Sequence, residues 1–265
     1  MSLSVKILNS NNSVDESFTY WNNEKIEKNK LFYKLIDDFD KIKNDNKQNL
    51  LSNELNRVIK NNSLELNGKN ILSIASGVCY VEARSFKNIN FNKLTCIDFS
   101  KHRITKLAPH VFRNFEIERK NIELISGDFN IYANHYTEDN FDFIIMCQAF
   151  HHFSNPNHIL GKINKLLNPG GCIIMIGEPN HTKSYFFKQI IKNLIKYIIN
   201  YKKFRLSSSL SEILYGAVSV DKIKGDHHWP LKIYKNFFRK NKFTLIETSI
   251  LKKNNTRTFY LKQNV

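Results

Sequence analysis

The stretch Asn70-Ile71-Leu72-Ser73-Ile74-Ala75-Ser76-Gly77-Val78-Cys79-Tyr80-Val81-Glu82 carries an apolar, strand-like run into a turn of small residues around Gly77, then into a helix-compatible segment. Strand, tight turn and helix in that order build a nucleotide cradle, because small side chains let backbone N–H groups reach a ligand beside a helix start. The next apolar run, Lys93-Leu94-Thr95-Cys96-Ile97-Asp98, ends on a carboxylate 21 positions after Gly77. In a doubly wound sheet a carboxylate at that place accepts hydrogen bonds from ribose hydroxyls. The two runs together imply an adenosine-type cofactor. The Gly-x-Gly-x-x-Gly spacing of an NAD site is absent.

Outward from this stretch the chain alternates strand and helix. Strands are expected near 70–75, 93–98, 121–126, 141–147 and 171–177, with helical stretches between most of them. This alternation predicts a parallel sheet with ligands at the carboxyl ends of its strands. Asn155-Pro156 supplies an N-cap and a proline for a helix running to Leu167, and Asn168-Pro169-Gly170-Gly171 stops it. Two late strands, Phe243 to Ile250 and Thr256 to Leu261, follow a helix at Leu231 to Lys240 and are joined by a short polar turn, the pattern of an antiparallel hairpin at a sheet edge. Toward the N-terminus, residues 1–15 are Asn/Ser-rich and read as loose, whereas 24–42 and 47–60 carry apolar residues at helical spacing. Tyr20 and Trp21 before them either line the cofactor mouth or anchor packing.

On these residues the chain resembles the class I S-adenosylmethionine-dependent methyltransferases over roughly 68–180. The family's first motif reads acidic-x-Gly-x-Gly-x-Gly; here those places hold Ser73, Ala75, Gly77 and Cys79. Ala75 and Cys79 are small enough to keep the turn, but the carboxylate that often helps hold the methionine end of the cofactor is missing at 73. The resemblance implies an α/β, Rossmann-like seven-stranded sheet, mostly parallel with an antiparallel last strand, plus N-terminal helices and a helical lid insertion. The expected division is an N-terminal helical cap at 1–62, a cofactor-binding core at 63–180, a lid at 181–229, and a last helix and edge hairpin at 230–265.

The resemblance also assigns candidate residues. Ala75, Ser76 and Gly77 are expected to pass beneath the S-adenosylmethionine, Asp98 to accept from both ribose hydroxyls, and Phe99 to flank the adenine. Asp128 and Phe129 follow the third strand where the family places an acceptor for the adenine amino group and an apolar flank. Cys147 and Gln148 are expected beside the methionine part. His151 and His152 then face the acceptor, and a neutral imidazole is well matched to removing a proton near pH 7. Glu178, ending the fifth strand, is a second candidate base or a hydroxyl-orienting group. His227 and His228, on the expected lid, either supply a base or acceptor contacts from above or pack the loop. No metal ligand set is expected.

The formal net charge of +16 comes from 40 basic and 24 acidic residues, a balance that suits an anionic acceptor or a solvated lysine coat. Residues 183–205 form a basic amphipathic pattern, read as a lid helix or as peripheral membrane contact. The N-terminus lacks a signal-type apolar region, and no run approaches the about 18 apolar residues of a membrane span. Cys79, Cys96, Cys147 and Cys172 show no Cys-x-x-Cys spacing; reduced thiols in a cytoplasmic enzyme are expected.

Segments 98–109 and 148–180 resemble methyltransferases of bacterial surface-polysaccharide gene clusters. The first functional reading is therefore methyl transfer to a small, phosphorylated or nucleotide-linked sugar, a capsule or lipopolysaccharide precursor. An RNA methyltransferase is the second; Cys147-Gln148-Ala149-Phe150 stands where such enzymes hold a base-gripping Asn-Pro-Pro-Tyr motif, so nucleic acid is not the expected partner. A non-catalytic partner subunit is the third, motivated by Ser73, Ala75 and Cys79. The oligomeric state is open.

Overall fold

Among the residues described by the computed structural model (3–8, 46–117, 121–136, 140–180, 191, 195, 227, 229–253 and 255–264), eight strands form one sheet. They are β1 (Ser4–Ile7), β2 (Asn70–Ile74), β3 (Lys93–Asp98), β4 (Ile122–Ser126), β5 (Phe141–Cys147), β6 (Leu167–Pro179), β7 (Phe243–Leu251) and β8 (Thr256–Gln263). Their order is β1-β4-β3-β2-β5-β6-β8-β7, and all neighbours are parallel except β8, which runs antiparallel to β6 and β7. β2, β3 and β4 are almost wholly buried, as strands with helices on both faces must be.

The helices are α1 (Asn46–Asn61), α2 (Tyr80–Phe86), α3 (Ala108–Asn114), α4 (Phe129–His135), α5 (Pro156–Leu166) and α6 (Leu231–Lys240). Leu55, Val81, Phe86 and Phe112 pack on one face of the sheet, and Tyr132, Ile159, Leu160 and Phe238 on the other. Asn155 caps α5 by accepting from the His158 N–H at 3.1 Å. A π turn, Arg103–Leu107, leads into α3. Pro109 explains it: the ring has no N–H and clashes with the carbonyl four residues back, and widening the turn relieves that crowding.

The seven strands expected from sequence are joined by an eighth, which is a correction. β1 comes from residues read as loose. It is four residues long and exposed throughout, so it carries no burial pattern. Its place comes from the ladder with β4 and from Lys6, which pairs with Glu123. Lys93 closes on the same carboxylate at 3.0 Å. β6 also begins earlier than expected, at Leu167, directly at the end of α5.

Strand order reverses beside β2, whose neighbours are β3 and β5. Ligands of open α/β sheets bind at such a switch point, outside the carboxyl ends of the strands. The expected helix at 24–42, Tyr20, Trp21, His228 and nearly all of the expected lid lie outside the described residues. Ile191 and Ile195, within 183–205, are helical and exposed. No helix among the described residues is long and apolar enough to cross a membrane.

Candidate active site

The turn after β2 winds through left-handed backbone at Ala75 (φ 53°), Gly77 (φ 58°) and Cys79 (φ 58°). Each non-glycine residue there costs about 1–2 kcal/mol, strain of the kind that gathers at ligand sites. The Gly77 N–H donates to Asp98 Oδ2 at 2.8 Å, and the Ser100 N–H to Oδ1 at 2.8 Å. Asp98 is thereby turned inward, 6% exposed, with both carboxylate oxygens anchored by backbone N–H groups of the turns that follow β2 and β3. A Cβ added at Gly77 would lie 3.8 Å from Arg103 Nη1, and no other described residue outside the turn itself comes within 4 Å of it. The Ser76 N–H is bound to the Ile97 carbonyl at 3.1 Å, fixing the turn to β3. A glycine-centred turn with an oriented carboxylate on the adjacent strand fits the ribose and backbone contacts of an adenosyl cofactor.

At the end of β4, Asp128 is the N-cap of α4: its Oδ1 accepts from the Asn130 N–H at 2.7 Å. Phe129 is buried beside Tyr132 and Phe153, and Phe99 is half-buried. Leu8, following β1, crowds Gly127, where a Cβ would lie 2.7 Å from the Leu8 side chain.

β5 ends in Cys147, half-buried against the α1 face, and Gln148, again left-handed at φ 52°. The Gln148 N–H donates to the Ile176 carbonyl at 2.7 Å. Its side chain covers Gly177, where φ is 78°. The following turn, 150–152, is organised by one carboxylate. Glu178, wholly buried, accepts from the N–H groups of Ala149 (3.2 Å), Phe150 (3.0 Å) and His151 (3.0 Å). It also meets His151 Nδ1 at 3.0 Å and the Tyr234 hydroxyl at 3.4 Å. Burial pushes the Glu178 carboxyl up, but the adjoining His151 and the Phe150 N–H outweigh it and hold its pKa below the ordinary value. An ionised Glu178 accepts from Nδ1–H and leaves Nε2 of His151 as the basic nitrogen. The His152 ring lies beside it, tilted by 39° with ring centroids 4.1 Å apart. The His227 N–H donates to the His151 carbonyl at 2.7 Å, and its ring stacks on Trp229.

The geometry thus separates the three proposed acid–base residues. Glu178 is enclosed, and its two oxygens are taken up by the 149–151 N–H groups, His151 Nδ1 and the Tyr234 hydroxyl. His151 and His152 lie at the carboxyl end of β5, next to the β2 turn. Residues that the sequence reading did not assign are Glu82, Tyr234, Arg257 and Leu8. Only Glu82 left a local signal, a lone acid inside an apolar helix start; the others come from remote segments. Among the described residues, no cluster of His, Cys, Asp or Glu is arranged to hold a metal.

Residues 72–173 match the family model described as "Methyltransferase domain". A curated relative, the mitochondrial ubiquinone biosynthesis O-methyltransferase of Dictyostelium discoideum, is 24% identical over 63% of this chain, which spans only 46% of that protein's length. Magnesium protoporphyrin IX methyltransferase from Synechocystis PCC 6803, solved with bound S-adenosylhomocysteine, superposes with TM-score 0.59 at 10% identity, covering 93% of this chain and 97% of that one. The [4+2]-cyclase SpnF superposes with TM-score 0.54 at 11% identity, covering 80% of each chain. Likeness at this level shows the fold, which hosts more than one chemistry. What residues 72–173 add is likeness in sequence to a methyltransferase domain, over a stretch that runs from β2 into β6.

Proposed function

We propose that the chain transfers a methyl group from S-adenosylmethionine to a hydroxyl of a small anionic acceptor, a phosphorylated or nucleotide-linked sugar of the capsule or lipopolysaccharide type, in the cytoplasm. The observation that carries it is the His151–Glu178 pair at the carboxyl edge of β5 and β6, one strand from the Gly77–Asp98 cradle. When bound, S-adenosylmethionine supplies an electrophilic methyl group on a sulfonium. Ala75, Ser76, Gly77 and Asp98 hold the adenosyl part, and Gln148 borders its methionine side. His151 Nε2 takes the acceptor hydroxyl proton, while Glu178 fixes the tautomer and steadies the imidazolium that results. Orientation of the acceptor in line with the methyl group is the remaining requirement.

Arg257 supports the anionic acceptor. It pairs across the ladder with Glu178. Its guanidinium is held by neutral oxygens, Asn180 Oδ1 at 2.8 Å and Thr248 Oγ1 at 3.3 Å. A cation positioned by amides and hydroxyls remains able to grip phosphate. A phenolic acceptor is the second reading, favoured by the His227–Trp229 stack beside His151 and by the ubiquinone-pathway relative.

Labelled S-adenosylmethionine, incubated with the purified chain and separate panels of nucleotide-linked sugars and dihydroxyphenols, tests both. Label in the sugars supports the first reading, and label confined to phenols replaces it with the second. No transfer to either, with the cofactor bound, removes the acceptor assignment altogether.

A further inference from the structure

Glu82 lies in the first turn of α2 with 1% of its surface exposed, and Ser73 on β2 donates to its Oε1 at 2.5 Å. The groups facing it are Ser73, Asp98 and Cys96 from the sheet and Cys79 from the start of α2. Among the described residues none of its partners is basic. A buried carboxyl beside a second carboxylate, without a counter-ion, is badly placed when it ionises, and a cation arriving there resolves the conflict. Asp98 is oriented toward the ribose by two backbone N–H groups. Glu82 is therefore the acid left for the positive end of the ligand.

Resting on the S-adenosylmethionine reading, we infer that Glu82, held by Ser73, is a positioning residue that supplies the negative charge for the cofactor's methionine ammonium. It replaces the acid missing at position 73, so the motif's carboxylate has moved from strand to helix while staying in the same buried spot.

Burial, with a contribution from Asp98, pushes the Glu82 carboxyl up to about 7. A raised carboxyl favours the neutral form, so its stabilising contribution to the empty fold is full below the ordinary 4.5 and lost as pH rises through about 7. A bound ammonium favours the ionised form instead. Affinity for an ammonium-bearing ligand is then expected to climb as pH rises through the same range.

Calorimetric titration of the full chain with S-adenosylhomocysteine and with methylthioadenosine, which lacks the amino-acid portion, at pH 6 and pH 8 tests this. Glu82→Gln should weaken S-adenosylhomocysteine at pH 8 by about tenfold or more, leave methylthioadenosine within about twofold, and flatten the pH dependence. The exchanged pair Ser73→Asp/Glu82→Ser should restore tight binding to within about threefold of the parent. The ligand amine titrates alike against every variant and drops out of the comparison. Equal losses for both ligands, or none, overturn the assignment. Should Glu82→Gln fail to fold, the exchanged pair decides: a folded exchange that binds methylthioadenosine but not S-adenosylhomocysteine also overturns it. If the parent chain binds neither ligand, the cofactor reading itself has failed and Glu82 falls with it.

Discussion

His151 Nδ1 lies 3.0 Å from Glu178 Oε2, and the same buried carboxylate accepts the backbone N–H groups of Ala149, Phe150 and His151. One side chain therefore both shapes the turn and sets the imidazole. His151→Ala should lower kcat by about 10²–10⁴-fold, the usual worth of a general base, with little change in cofactor affinity. Steady-state kinetics beside a binding titration checks this, and unimpaired turnover would return His151 to a packing role.

Glu178 should also govern acid sensitivity. Its pKa is held below the ordinary 4.5, so its stabilising contribution is present above that value and is lost as pH falls through the depressed folded value. Glu178→Gln should cost about 1–3 kcal/mol at pH 7, because one N–H acceptor oxygen is retained and the charge is lost. Denaturant melts from pH 7 to pH 3 should show the variant losing less stability on acidification than the parent does.

Asp98→Asn keeps one acceptor oxygen but introduces an amide that cannot accept from the Gly77 or Ser100 N–H group. S-adenosylhomocysteine affinity should fall by about 1–3 kcal/mol, with methylthioadenosine falling in parallel because both share the ribose. That parallel loss separates Asp98 from Glu82.

Gly177 sits at φ 78°, and a Cβ there would lie 2.7 Å from Gln148 Cγ and 2.9 Å from Leu51 Cδ2. Gly177→Ala should destabilise the fold by about 1–3 kcal/mol through backbone strain and overpacking. It should also displace Gln148, so cofactor affinity measured below the melting range should fall as well.

Along β1, the Leu8 N–H donates to the Ser126 carbonyl at 2.8 Å, so strand alternation points the Lys6 N–H toward β4 and the Val5 N–H away. Lys6→Pro should speed amide exchange along β4, since it removes a ladder donor and a charge partner of Glu123. Val5→Pro should change it far less. Equal effects would show that β1 is not held in this register.

Much of the core was legible because local pattern and burial coincide there. The expected strands at 93–98 and 141–147 are β3 and β5, and Leu231–Lys240 is α6 with the same bounds. Gly77 and Asp98 stand together because a small-residue turn and a strand-ending carboxylate have one sensible arrangement in a doubly wound sheet. β1 was not legible: four exposed residues beside an Asn/Ser-rich run announce no face, and their pairing rests on a strand more than a hundred positions away.

The order of residues was enough to establish the alternation, the cradle and the hairpin, since each follows from period, turn chemistry and sequence spacing within a few dozen residues. Tertiary packing decided what surrounds each charged group. Glu178 meets the His151 imidazole and the Tyr234 hydroxyl because α6 and the 149–151 turn close over it, and Glu82 stands against Ser73 because α2 folds back on β2. Whether a carboxylate touches water, an imidazole or a hydroxyl depends on what the fold brings around it, and no reading of neighbours along the chain contains that information.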